Sequence, residues 1–283
     1  MIIKPLSGSI GAEVFDLDLN SLDGATLHML EVAFNEHLVL CFREQDFSPA
    51  KLLSVSRAFA SVGRSQHLLG MKGYPEIVPV VKEAGEISPT VFGGNWHTDS
   101  TFLSAPPSRT FLYAVDCPAV GGDTLFSNLY LAYESLSPGL QGLLEGVRAV
   151  HSSAGVYGEG SELDSQLENM KLRKDVGDAL SALHPVIRVN PATGKFALWI
   201  NPLFVSSFEA MSVEESQQIL GYLNSIAVTP SYTCRVRWEK GTLVMWDNRC
   251  TQHCALSDYS GSRREMWRIE GEHEIPIPAV GQR

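Results

Sequence analysis

The chain has 283 residues, 44% of them hydrophobic, and a formal net charge of −10. That length and apolar content suit one packed domain over residues 1–283, and the acidic balance, with no basic run of five, argues against nucleic acid or an anionic membrane surface as a partner. Five cysteines (Cys41, Cys117, Cys234, Cys250, Cys254) without metal-finger spacing fit a reducing cytoplasm; the stretch Met1 to Pro5 does not read as a signal peptide's long apolar region, and no apolar run approaches membrane-spanning length.

In chain order, residues 10–19 alternate loosely and predict a strand and turn. Residues 22–37 carry apolar side chains at helical spacing, among them Leu27, Leu30, Ala33 and Phe34. The run 38–42 reads as a buried strand, and Ser48-Pro49 as the N-cap and first position of a helix to about residue 60. Both helices read as scaffold. Residues 66–95 are irregular and rich in Gly and Pro; a loop in this place can carry specificity, with His67, Tyr74 and Asn95 as its polar candidates. The plain alternative for His67 is a solvated loop histidine.

The stretch Trp96-His97-Thr98-Asp99-Ser100-Thr101-Phe102 follows. On a strand, successive side chains alternate faces, so His97 and Asp99 would point the same way and offer two adjacent ligands to a divalent metal. His-x-Asp alone is a weak signal, and a hydrogen-bonded core histidine beside a capping Asp explains it equally well.

Further on, 110–115 and 124–129 read as strands around the Gly121-Gly122 turn, and 129–144 as helical with an internal start at Ser137-Pro138. Residues 151–182 form a second irregular region, long enough to read as a lid. Strands are expected at 184–187 and 195–200 around a turn at 190–194. Ser212 and Glu215 have capping-box spacing and open a helix to about residue 226. Residues 233–239 alternate, and 241–246 lead into Trp246-Asp247-Asn248-Arg249-Cys250-Thr251-Gln252-His253.

His253 is the best third ligand, since two His and one carboxylate with open positions make the facial arrangement of non-haem Fe(II) oxygenases. Cys250 and Cys254 flank it and could be read as soft ligands, but the nitrogen and oxygen donors already account for a site. After a polar turn, alternation along 263–268 puts Arg264, Met266 and Arg268 on one face and Arg263 and Glu265 on the other. A strand with His253, a tight turn and a returning strand with Arg264 would form a hairpin and bring metal and guanidinium into one cavity.

These residues resemble the Fe(II)/2-oxoglutarate-dependent dioxygenases of the taurine dioxygenase and 2,4-dichlorophenoxyacetate dioxygenase (TauD/TfdA) family. The resemblance covers His97, Asp99, His253, an arginine eleven residues later at Arg264, and Gly121-Gly122-Asp123-Thr124, within a span from Ile10 to Arg268. The pattern of elements itself suggests an α+β fold, and the resemblance implies its topology, a double-stranded β-helix core (jelly-roll, cupin-like), buttressed on one sheet by the N-terminal helices and the Ser212 helix. His97, Asp99 and His253 would hold Fe(II). The co-substrate 2-oxoglutarate would chelate it, with its distal carboxylate on Arg264 and the Thr124 hydroxyl, and O₂ would take the last position. The products would be succinate, CO₂ and a hydroxylated C–H bond in a small organic substrate. The family's halogenases replace the carboxylate with a small residue, so Asp99 points to hydroxylation.

His67 lies near the family's substrate histidine, and Phe204 resembles its pocket aromatic. Arg268 matches the arginine that grips a sulfonate or carboxylate, which would make the substrate a small anion; a salt bridge near Asp99 is the alternative. The family often forms dimers or tetramers. Two other readings are a non-oxidative metal enzyme, such as a Zn(II) hydrolase, and a catalytically silent small-molecule-binding protein on the same fold. Arg264 with Thr124 argues against the first, and the intact ligand set against the second.

Overall fold

The computed structural model describes residues 1–86, 91–157, 170, 173 and 180–279. Within them the chain has a mixed α and β fold around a seven-stranded sheet. Its strands run in the spatial order Ile2–Pro5, Ala12–Phe15, Val39–Phe42, Leu243–Asp247, Pro107–Asp116, Arg264–His273 and Val78–Lys82. All neighbours are antiparallel except Ala12–Phe15 on Val39–Phe42.

The period-two alternation of these strands builds two cores. Leu40, Phe42, Leu243, Met245 and Ile269 face the helices Gly24–His37 and Pro49–Phe59, where Leu30, Phe34, Leu52 and Phe59 meet them. The intervening Val39, Cys41, Val244, Trp246 and Met266 face the other way, into a second cluster with Phe126, Val236, Trp199 and Leu223. That cluster lies between the large sheet and three three-stranded sheets. One of these orders Thr233–Val236, Thr124–Asn128 and Thr251–Ala255.

Local chemistry explains the helix ends. Asp23 and Ser48 accept from the backbone N–H of Thr26 and Lys51, and Ser212 with Glu215 forms the full capping box of the helix Val213–Ala227. The helical stretch 129–144 divides at its internal start into Leu129–Glu134 and Pro138–Leu144, with Ser137 as N-cap and Pro138 in the first turn. Two expectations need correction. The Ser212 helix packs on the small-sheet side, against Phe208 and Leu129, and so buttresses the opposite side from the N-terminal helices. The irregular stretch 66–95 contains the strand Val78–Lys82, at the sheet edge where its Pro79 is tolerated. Most of the lid expected at 151–182 lies outside the described residues; its start completes the strand Arg148–Ser152 and a helical turn, Ala154–Tyr157.

No described helix is long and apolar enough to cross a membrane. Arg264–His273 pairs with Pro107–Asp116 across a register shift between Glu265 and Met266. Its inward face carries Arg264, Met266, Arg268 and Glu270, all buried, while Arg263 and Glu265 pair with each other at 2.7 Å on the outer face.

His151, on the strand Arg148–Ser152, is fully buried, stacks on Trp199 and meets His184 edge-on, and neither of its ring nitrogens has a partner among the described residues. Burial, helped by His184, pushes its imidazolium well below the ordinary histidine range. Below about pH 6.5 the unfolded chain therefore binds a proton that the native protein does not, so stability rises with pH in that window and is lost on acidification. Urea unfolding of the metal-free protein should lose stability from pH 7 toward pH 5.5 at up to roughly 1.4 kcal/mol per pH unit for this one group. His151→Phe should flatten that slope; an unchanged slope would show that the proton goes elsewhere.

Candidate metal centre

His97, Asp99 and His253 each offer a ligand atom, and the three atoms lie within 4.8 Å of one another, all on buried residues. The Nε2 atoms of His97 and His253 stand 3.8 and 3.7 Å from Asp99 Oδ1. The segment carrying His97 and Asp99 is not a regular strand. His97 makes a single antiparallel bridge with His253, through reciprocal N–H to carbonyl bonds of 3.0 and 2.8 Å, and the chain then turns at Asp99. Ser100 takes a left-handed φ of 50°, which redirects the chain just after Asp99. The expected hairpin is also corrected. Thr251–Ala255 and Arg264–His273 belong to different sheets, so His253 and Arg268 approach the centre from opposite walls.

His97 Nδ1 is 2.7 Å from the Asn95 carbonyl, which can only accept, so Nδ1 holds the proton and Nε2 presents its lone pair to the centre. Burial pushes both imidazolium pKa values down, that of His253 furthest, which keeps the rings neutral and able to ligate. Burial alone would raise the Asp99 carboxyl, but the Arg268 guanidinium and the Thr110 hydrogen bond offset that and hold it well below the usual carboxylate range. Arg268 Nη2 sits 2.6 Å from Oδ1, while Thr110 donates to Oδ2 at 2.7 Å. Thr110 in turn accepts from Asn248, whose Oδ1 accepts from Trp246 Nε1. Neutral imidazoles, an ionised carboxylate and fixed orientations suit a divalent cation of the Fe(II) type. No cysteine joins the group among the described residues: Cys254 turns to the Gly94 carbonyl and Cys250 is buried beside Asp247.

A second polar cradle adjoins the centre. His253 pairs with Phe126 and Ala255 with Thr124, so Thr124 stands one strand repeat from the ligand on the same face. Trp238 Nε1 donates to Thr124 Oγ1, leaving that hydroxyl free to donate, and the Arg264 guanidinium lies over the Trp238 ring. Arg264 is buried, yet its Nε and Nη2 have no partner among the described residues. A buried guanidinium with open donors fits a planar carboxylate. The Gly121-Gly122 turn packs close beside this cradle: a Cβ on Gly122 would stand 3.4 Å from Arg264 Cδ, and one on Gly121, whose φ is 85°, 2.6 Å from the Asp258 carbonyl.

A cavity of about 390 Å³ opens over the metal centre. His67, Asn95, Phe204 and Arg268 line it, and Tyr157 and Ser100 join them. Phe102 supports its wall: His67 stacks on it with centroids 4.4 Å apart, and Phe204 meets it edge-on at 4.9 Å. His67 Nε2 is buried without a hydrogen-bond partner among the described residues. Tyr74 lies away from the cavity, against the helix-side core. Arg268 adopts the salt-bridge alternative, on Asp99 and, at 2.7 Å, on Glu270. Thr110, Tyr157 and Glu270 were not expected from the sequence, because a threonine in a strand or a glutamate in a charged tail carries no local mark of its partner.

Residues 2–269 match the family described as "Taurine catabolism dioxygenase TauD, TfdA family". The chain is 32% identical to an alpha-ketoglutarate-dependent sulfate ester dioxygenase of Pseudomonas putida, over 99% of this chain and 92% of that protein. It is also 32% identical to pentalenolactone F synthase of Streptomyces avermitilis, over 95% and 93%. The crystal structure of a taurine dioxygenase from Burkholderia xenovorans superposes with a TM-score of 0.82 at 30% identity, covering 98% of this chain and 93% of that one.

Thr110 touches a ligand but supplies none. Thr110→Val should weaken Fe(II) or Mn(II) binding, measured by anaerobic titration calorimetry, by about 10- to 100-fold, and Thr110→Ser should restore most of it. Equal affinity in Thr110→Val would mean that the Asp99 geometry is fixed without the hydrogen bond.

Proposed function

The chain belongs to the taurine catabolism dioxygenase TauD, TfdA family, and from that premise we propose which residues carry its chemistry. The protein is a 2-oxoglutarate-dependent non-haem iron dioxygenase that oxidises a small organic substrate. His97, Asp99 and His253 hold Fe(II). Arg264 and Thr124 take the distal carboxylate of 2-oxoglutarate. The observation that carries this assignment is the open pair of Arg264 donors, buried beside a His-Asp-His cluster.

When bound, iron and 2-oxoglutarate supply the oxidising power, coupling loss of CO₂ and formation of succinate to hydroxylation of a C–H bond with O₂. The chain's own residues position and shield that chemistry. Arg264 and Thr124 would hold the distal carboxylate of the co-substrate and so restrict its orientation. Phe204, Phe102 and Tyr157 wall the cavity with aromatic surface and keep water from the reacting face. His67, Asn95 and Arg268 present polar groups that orient the substrate.

The same reading extends to the scaffold. The large sheet facing the Thr233–Val236, Thr124–Asn128 and Thr251–Ala255 sheet is read as a double-stranded β-helix, with the metal between its walls. The free state of all five cysteines supports a reducing compartment.

Anaerobic addition of Fe(II) and then 2-oxoglutarate to the metal-free protein should give a weak visible charge-transfer band only when both are present. Arg264→Met should raise the 2-oxoglutarate concentration needed for half the band by at least about 100-fold, the scale of losing a charge-assisted bidentate pair, with Fe(II) affinity unchanged. A full band at wild-type concentrations in that variant would remove Arg264 from the co-substrate site.

A further inference from the structure

Glu270 lies two residues beyond Arg268 on the inward face of the strand Arg264–His273 and is 4% exposed, and neither the metal centre nor the co-substrate cradle uses it. Its Oε1 accepts from Arg268 Nη2 at 2.7 Å and from Ser100 Oγ at 2.9 Å. The same Nη2 reaches Asp99 Oδ1 at 2.6 Å. The residue that follows the metal-binding carboxylate is thus tied back to Glu270 through its hydroxyl. Among the described residues lining the cavity, Arg268 is the only cation, and it already serves two carboxylates. The nearby Arg173 turns its guanidinium to the Ser65 carbonyl at 3.0 Å.

We propose that Glu270 sets the substrate class: by neutralising Arg268 it makes the cavity a site for an uncharged organic molecule and excludes small organic anions. The inference rests on the dioxygenase reading above. A divalent metal at the triad takes up the charge of Asp99, and Glu270 is then the counterion that remains for Arg268. An anion drawn to Arg268 would meet the Glu270 carboxylate on the same nitrogen, and like charges repel strongly where water is scarce. The rest of the lining suits a neutral guest. Phe204 and Tyr157 give apolar surface, and His67 and Asn95 offer uncharged polar groups. Burial lowers the His67 pKa, so that ring adds no compensating cation.

The test uses the holoenzyme with Fe(II) and 2-oxoglutarate, without oxygen, and reads the concentration at which a probe shifts the charge-transfer band. The probes are hexyl methyl sulfone and 1-hexanesulfonate, alike in shape and different in charge. In the wild-type protein the sulfone should bind at least about tenfold more tightly than the sulfonate. Glu270→Gln and Glu270→Thr should each tighten the sulfonate by at least about tenfold and leave the sulfone within about threefold. Sulfonate preferred over sulfone in the wild-type protein overturns the proposal, whether or not either variant folds. A folded variant that still ignores the sulfonate also overturns it. Absence of any band in the wild-type protein with both Fe(II) and 2-oxoglutarate is a different failure, and it strikes the co-substrate assignment instead.

Discussion

Asp99 has 4% of its surface exposed, and an ionised carboxylate that deep needs a cation in contact with it. Left alone, such a charge costs several kcal/mol, comparable to the whole stability of a domain. Arg268 supplies the countercharge at 2.6 Å, and Thr110 satisfies the other oxygen. The metal-free protein is therefore already charged and oriented for a divalent ion. Arg268 makes this possible because it comes from the large sheet, whereas His253 comes from the opposite wall. The centre exists only where the two sheets are packed together, and the cluster of Trp246, Phe126 and Met266 holds them so.

Trp246 links packing to chemistry. Its ring fills the core between the sheets and lies 4.8 Å from the His253 ring, and its Nε1 begins the chain of hydrogen bonds through Asn248 and Thr110 to Asp99. A polar chain inside an apolar core is stable only when every member is partnered, and here each donor finds its acceptor. Core and site are one network at this point, so a small shift in Trp246 would be felt at the ligand oxygen.

Much of this was legible because the chemistry is local. Ser48-Pro49, Ser212 with Glu215, and the apolar runs 38–42 and 241–246 announce their elements through capping and period. His97, Asp99, His253, Thr124 and Arg264 were singled out through family spacing; the fold gathers ligand atoms of the first three within 4.8 Å and sets Thr124 on the same face as His253. What failed was long-range. No rule of alternation foresees that the His97 segment makes one bridge and then turns through a left-handed Ser100. Nor could sequence distance show that the strands of His253 and Arg264 part into separate sheets. Pro79 hid an edge strand, and Glu270 looks like any charge in the run from Glu265 to Glu274 until its buried partners are seen.

The strand Arg264–His273 also stores its function as parity. Even-numbered positions from Arg264 to Glu270 face the site, and odd ones face the helices or solvent. Its register against Pro107–Asp116 shifts beside Glu265, which pins the frame just ahead of Arg268. A residue gained or lost in the polar turn at 257–262 can be taken up by the loop. One gained between Glu265 and Arg268 would change which residues face inward and present Trp267 and Ile269 where the charges now stand. Over this strand, a change in the number of residues would displace every inward side chain beyond it, where a change of letter alters only one.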